Sequence, residues 1–294
     1  MSARTKTKIS LVLGSGGARG YAHIGVIEVL EEMGYEIASI SGASMGALVG
    51  GLYACGKMEE YKEWVLGLDA FDVAALVDFS FSVQGVMKGE KVFGRLAEMM
   101  GPRRIEELPI SYTAVATDVK RKKEIWFQEG DLLQAIRASI AIPSVFTPVE
   151  IGKMLLVDGG ALNPLPVAPT MADRTDMIVA VNLYGDLPLS EVLPPKSAPS
   201  HRERSIEERV QRMFDDFFGS EKEDRLNLFD VLDGTFVTIQ NALTRYRLGG
   251  YPPDLIIDMP MEICRSLEFH KAHEVIEAGR IRAKQKLAEY RQNG

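Results

Sequence analysis

Gly42-Ala43-Ser44-Met45-Gly46 sets one serine between two glycines, at the junction of a strand-like run, IASIS, and a helix-like one, MGALVGGLYACG. G-x-S-x-G between a strand and a helix is the pattern of a nucleophile elbow. The turn is so sharp that side chains on its flanks would clash, so Gly42 and Gly46 carry none. Ser44 is thrust out at the helix N-terminus, where amide N–H groups, that of Met45 included, and the helix dipole favour negative charge. The bland alternative is a serine that only caps the helix.

Two more glycine-rich stretches could do chemistry. GSGGARG, Gly14 to Gly20, follows the run KISLVL. A phosphate-binding P-loop would end in Gly-Lys-Ser/Thr, but Gly20 precedes Tyr21; a dinucleotide fingerprint opening at Gly14 needs a glycine where Arg19 stands. An oxyanion loop fits better, with the N–H groups of Gly16, Gly17 and Ala18 aimed at developing negative charge. Arg19 would pin that loop or add positive potential, and a purely structural glycine turn is the competing reading. The third stretch is VDGG: Asp158 ends a strand-like run, and Gly159 and Gly160, without side chains, keep its surroundings open. Taken alone, Asp-Gly is a turn signal.

The elements that must position these residues read as follows. KISLVLG is a buried strand, and YAHIGVIEVLEEMG a helix with Ile24, Ile27 and Leu30 on one face and Gly34 closing it. With IASIS and MGALVGGLYACG, this is a βαβα opening, which implies a parallel sheet with right-handed crossovers. All three glycine stretches fall at C-terminal ends of strands, where such sheets assemble their sites. SYTAVATD and KKEIWFQ are strands joined by a basic turn, and DLLQAIRASI is a helix capped by Asp131. MLLVDGG, DMIVAVNL and LIIDMP are further strands. Leu68 to Val92 is apolar without period, so Phe71 and its neighbours could pack as core or cap a greasy cleft. DLPLSEVLPPKSAPSHRERS reads as a loop or linker. Ser205 to Arg247 and a last stretch from Glu268 are amphipathic helices.

Composition narrows the classes. The 294 residues are 46% hydrophobic and 26% charged, and the net charge is −7. No basic surplus exists to neutralise nucleic-acid phosphates, so nucleic acid is not the partner. Lys120-Arg121-Lys122-Lys123 reads as the solvated tip of a hairpin. Cys55 and Cys264 have no metal or redox spacing, which points to reduced thiols and a cytoplasmic protein. No secretory leader is visible, and no apolar run approaches the roughly 18 residues that span a bilayer. No calcium loop is present, so no metal is expected.

In order and spacing, G-x-G-G-x-R-G, G-x-S-x-G and D-G-G resemble the patatin-like phospholipase family. ARGYAHIGVIEVLEE, GASMGALVGGLYA, IRASIAIPSVFTPVE and VDGGALNPLPV resemble its bacterial and neuropathy-target-esterase-like branch. The likeness runs from Ile9 to Leu183 and is vague beyond Tyr184. One motif position departs: Ser15 stands where many relatives carry a third glycine. The resemblance implies an α/β fold of three layers, α/β/α, around a mostly parallel sheet, with a helical C-terminal elaboration. The catalytic core would span 8–184, a loop or linker 185–205, and a helical region 206–294 packed on the core.

It also implies a Ser–Asp dyad in which Ser44 is the nucleophile and Asp158 takes its proton directly. The histidines agree: His201 lies in the Pro/Ser stretch, His270 and His273 on a solvated helical face, and His23 packs or caps near the glycine loop. An ordinary aspartate, with a pKa of about 3.9, is a poor base for serine, so burial among apolar strands is expected to raise it. The implied substrates are lipid acyl esters (phospholipid or lysophospholipid), with no cofactor and with peripheral membrane contact. The region Phe71 to Met87 would line or cover an acyl channel. A catalytically silent lipid-binding or regulatory protein is the alternative, and homodimerisation through the C-terminal helices stays open.

Overall fold

The computed structural model describes residues 6–76, 89–143, 145–193 and 228–293. The apolar stretch 77–88 and the segment 194–227, which holds His201 and most of the expected linker, lie outside the described residues.

The chain opens with β1 (Lys8–Leu13), α1 (Ala22–Glu32), β2 (Glu36–Ala43) and α2 (Met45–Ala54). Ile24, Val26, Ile27, Val29 and Leu30 of α1 are fully buried. That helix stops where glycine permits the left-handed turn: Gly34 has φ 84°. The Tyr35 N–H then reaches back to the Leu30 carbonyl at 3.0 Å, closing the orphan carbonyls of the last turn. Next come α3 (Met58–Leu66), α4 (Ala70–Leu76), α5 (Glu90–Met100), β3 (Ser111–Asp118), β4 (Lys123–Phe127) and α6 (Leu132–Ser139). Asp131 caps α6, accepting from the Gln134 N–H at 2.7 Å. The chain continues through β5 (Val149–Ile151), β6 (Met154–Asp158), β7 (Met177–Gly185), α7 (Leu228–Gly250), β8 (Leu255–Pro260) and α8 (Ala272–Asn293).

The strands form one sheet in the order β5-β6-β3-β2-β1-β7-β8, with β4 on the free edge of β3. The pairs β1–β2, β1–β7, β2–β3 and β7–β8 are parallel, whereas β3–β4, β3–β6 and β5–β6 are antiparallel. This is a three-layer α/β/α arrangement around a mostly parallel sheet. The first strand sits at its centre and is buried from Ile9 onward, as a parallel strand covered on both faces must be. The turn Lys120–Lys123 is exposed throughout.

The C-terminal elements are built into this frame. β8 adds to β7, and α8 packs on α1 through facing glycines: the Gly25 Cα lies against the Ile276 carbonyl, and the Gly279 Cα against the Ala22 carbonyl. Any larger side chain there would push the helices apart. Phe71, expected as core or cap, is 54% exposed on α4.

Candidate active site

Ser44 follows the last residue of β2 and has φ 56° and ψ −127°, the left-handed side of backbone space that a residue with a Cβ seldom occupies. Such strain persists only where the surroundings hold it. The Ser44 N–H donates to Ser139 Oγ at 3.0 Å, and its carbonyl accepts from the N–H groups of Ala47 and Leu48 at 2.9 and 3.1 Å. A Cβ on Gly42 would sit 2.5 Å from the Gly46 carbonyl, and one on Gly46 would overlap the Leu13 carbonyl. Both glycines are therefore required by close backbone approach at the turn.

Asp158 reaches this serine through sheet register. β4 occupies one edge of β3 from Ala114 to Asp118, so β2 and β6 must share the other. β2 runs along that edge until Ala43 lies opposite Val115. There the chain turns away at Ser44, and β6 arrives from the opposite direction with Asp158 opposite Ala116. The two strands meet end to end, which brings together residues more than a hundred positions apart in the chain.

Both side chains are shut from water, Ser44 being 1% and Asp158 0% exposed. Asp158 Oδ1 accepts from the Gly160 N–H at 2.7 Å. Burial pushes the carboxyl up to about 7, against the opposing pull of the Ser44 hydroxyl beside it and of the Gly160 N–H. Among the described residues Oδ2 has no partner of hydrogen-bonding geometry. The Ser44 hydroxyl lies close enough to the carboxyl to lower its pKa, although Oδ2 makes no hydrogen bond of strict geometry with the described residues.

The two glycines after Asp158 do not keep its surroundings open. The Gly159 Cα packs on the Val115 carbonyl, and a Cβ on Gly160 would run into Gln240 Nε2 and Ser15 Oγ. Their absent side chains admit close neighbours, not solvent.

The loop from Gly14 to Gly20 lies against the elbow, with the Gly20 Cα on the Met45 side chain and the Gly16 Cα on Leu183. The Gly14 N–H is tied to the Val181 carbonyl at 3.1 Å and the Ser15 N–H to the Pro164 carbonyl at 2.7 Å. The Ala18 N–H, expected to point at an oxyanion, donates to the Ser266 carbonyl at 2.8 Å. The N–H groups of Gly16, Gly17 and Met45 have no protein acceptor among the described residues. Arg19 is buried; its guanidinium donates to the Cys264 carbonyl at 3.2 Å and lies over the Tyr184 ring, 5.3 Å from its centre. Its side chain pins the loop to the segment after β8.

The histidines stand apart from the pair. His23 is fully buried, 2.8 Å from the Gly14 carbonyl through Nε2, and burial drives its pKa down to about 4. A neutral ring donating to that carbonyl holds the entry to the glycine loop. His270 precedes α8 and is half-buried, and His273 is exposed on α8. No group of three or more His, Cys, Asp or Glu side chains able to hold a metal occurs among the described residues.

Three contributors carried no signal legible in the sequence. Ser139 lies in the quoted stretch IRASIAIP, but nothing in its spacing marks it. Tyr184 and Gln240 come from parts of the chain without a recognisable motif.

Residues 11–171 match the family model described as patatin-like phospholipase. An uncharacterized NTE family protein of Mycobacterium tuberculosis is 39% identical over 332 residues, an alignment covering 95% of this chain and 91% of that protein. Patatin-like phospholipase domain-containing protein 6 of Mus musculus is 30% identical over 195 residues, covering 63% of this chain and 14% of that much longer protein. The crystal structure of VipD from Legionella pneumophila superposes with a TM-score of 0.55 at 16% identity, covering 98% of this chain and 68% of that one. That last likeness is one of fold.

Proposed function

This chain belongs to the patatin-like phospholipase family and is a lipid-hydrolysing esterase, and from that premise we propose that it cleaves phospholipid or lysophospholipid acyl esters through Ser44 and Asp158 by way of an acyl-enzyme. The observation that carries the reading is the end-to-end meeting of β2 and β6 on one edge of β3, which sets the elbow serine beside a buried carboxyl.

The steps follow from the groups present. Asp158, as carboxylate, accepts the Ser44 proton while Oγ attacks the ester carbonyl carbon. The negative charge passes to the carbonyl oxygen, where the N–H groups of Gly16, Gly17 and Met45 receive it. Such donors are worth about 3–4 kcal/mol each because they are already oriented before the charge forms. The intermediate collapses, and the leaving alkoxide takes the proton from Asp158. Water, deprotonated by the same carboxylate, then attacks the acyl-Ser44 ester, releasing a fatty acid and restoring the serine. A pKa near neutrality makes one carboxyl able to accept and return a proton at each stage. Ala18 plays no part in this scheme because its N–H is engaged by Ser266.

A substrate of this kind is met at a lipid surface. Among the described residues no helix is long and apolar enough to cross a membrane. The proposed contact is peripheral, and flotation with anionic vesicles tests it.

The function is tested by mass spectrometry of the products formed from a mixed lipid extract, together with labelling by a fluorophosphonate. Wild type should release fatty acid and label at Ser44. Ser44→Ala and Asp158→Asn should fold and release none. Substantial turnover by either variant would sink the dyad, and an unlabelled, inert wild type would favour a lipid-binding role.

A further inference from the structure

The polar cluster behind Asp158 is not explained by the hydrolytic scheme. Gln240, from the middle of α7, is 2% exposed. Its Nε2 donates to Ser15 Oγ at 3.1 Å, and its Oε1 accepts from the Tyr184 hydroxyl. The same Nε2 occupies the space that a side chain on Gly160 would fill. The Gly160 N–H in turn holds Asp158 Oδ1 at 2.7 Å. One buried amide therefore touches the glycine loop, through Ser15, and the peptide that holds the carboxyl.

Each polar atom of the amide meets a hydroxyl, Nε2 that of Ser15 and Oε1 that of Tyr184, and a hydroxyl can serve as donor or acceptor, so the amide is held at both ends. A second tether fixes the helix that carries it. Arg247 of α7 pairs with Glu124 of β4 and donates to the Leu162 carbonyl at 3.1 Å, and the Asn163 side chain donates to Glu124 at 2.9 Å. This second tether attaches α7 to Leu162 and, through Glu124, to Asn163, just after the D-G-G turn. Residue 240 lies outside the matched stretch 11–171, and its partner Ser15 is the position where the chain departs from the family's glycine pattern.

We propose that Gln240 is a positioning residue for Asp158, acting with Ser15 and Tyr184, so that α7 completes the catalytic site. The inference rests on the Ser44–Asp158 reading. The Ser15 hydroxyl gives Nε2 an acceptor that glycine at this position would lack. With both polar atoms of the amide engaged, Nε2 is pressed against Gly160 in one place, and the Gly160 N–H keeps the carboxyl aimed at the elbow. Buried polar networks of this kind are rigid when every member is satisfied and costly when one is removed.

The test compares wild type, Gln240→Met, Ser15→Ala and the double variant on a short-chain ester, with active sites counted by fluorophosphonate labelling carried to completion. Methionine keeps the length of the side chain and loses both hydrogen bonds. Gln240→Met should retain KM and lose about tenfold in kcat per labelled site, the scale of one misplaced buried hydrogen bond. Ser15→Ala should lose less, and the double variant no more than Gln240→Met alone, because both cut one relay. A role in packing only would lower the melting temperature and the labelled fraction but leave kcat per site intact. That result, or multiplicative losses in the double variant, overturns the proposal. Ser44→Ala and Asp158→Asn run alongside: activity in these sinks the dyad itself, whereas inert controls with indifferent Gln240 variants sink this inference alone.

Discussion

The Ser139 hydroxyl stands between the elbow and β3: it accepts from the Ser44 N–H at 3.0 Å and donates to the Val115 carbonyl at 2.6 Å. A side chain at the end of α6 thereby holds the strained residue that follows β2 to the neighbouring strand, and it does so out of reach of water, Ser139 being 0% exposed.

Ser139→Ala leaves that N–H and that carbonyl without their partner. Orphaned buried groups cost about 1–3 kcal/mol each. The variant should melt several degrees below wild type and label more slowly with a fluorophosphonate, since the proposed nucleophile loses its anchor. Calorimetry with a labelling time course checks both.

The strain at Ser44 has a stability signature of its own. At φ 56° and ψ −127° glycine is at ease and alanine is not. Both Ser44→Gly and Ser44→Ala should be inert towards esters. Ser44→Gly should be the more stable of the two by about 1 kcal/mol, strain of this kind costing about 1–3 kcal/mol. Urea unfolding of the pair measures the difference.

The buried carboxyl makes activity and stability run in opposite directions with pH. Its pKa is about 7 in the folded protein against an ordinary 3.8. In the proposed mechanism the base is the ionised form, so kcat/KM should climb through an acidic limb centred near 7. The raised pKa means that the folded state binds a proton that the unfolded chain has released. The stabilisation is complete below 3.8 and is lost as pH rises through 7. Replacing the charge should help most where it is present: Asp158→Asn should gain up to about 4 kcal/mol on wild type at pH 8, and little near pH 4. Melting curves of both proteins across that range decide the point.

His23 should behave as a strut. His23→Leu removes the donor to the Gly14 carbonyl, and a loss of about 1–3 kcal/mol is expected. The acidic limb of kcat/KM should stay in place, because the proposed mechanism assigns it to the Asp158 carboxyl. The folded pKa of His23 lies near 4, below its ordinary 6.5, so wild type loses stability from this group as pH falls from 6.5 towards 4. The leucine variant should lack that loss. A pH–rate profile and melts at two pH values test both statements.

Much of the frame was legible in the residues. Runs such as KISLVL and LIIDMP, each long enough for one strand, became β1 and β8, and SYTAVATD became β3 from end to end. The elbow and the left-handed stop at Gly34 were equally readable, because glycine at such places answers to steric rules acting over three or four residues. The glycines after Asp158 were read by the same local rule and given the wrong neighbour. A missing side chain invites solvent or a close contact, and only the packing says which. For Ala18, loop and amide were legible but the acceptor, the Ser266 carbonyl, was not.

The amino-acid sequence by itself marked every strand but β5, the ends of the first helices and the serine lifted out of a turn, consequences of forces between near neighbours in the chain; α3, α4 and α5 were not legible in it. The motif resemblance pointed to Asp158 and the apolar strands to a raised pKa, but the tertiary structure alone decided the means: the register on β3 that brings Asp158 to the elbow, the closure that shuts it from water, and the amide of Gln240 that meets Ser15 across 225 positions. Pairing and burial at that range follow from how whole elements pack, and no local pattern of residue types encodes them.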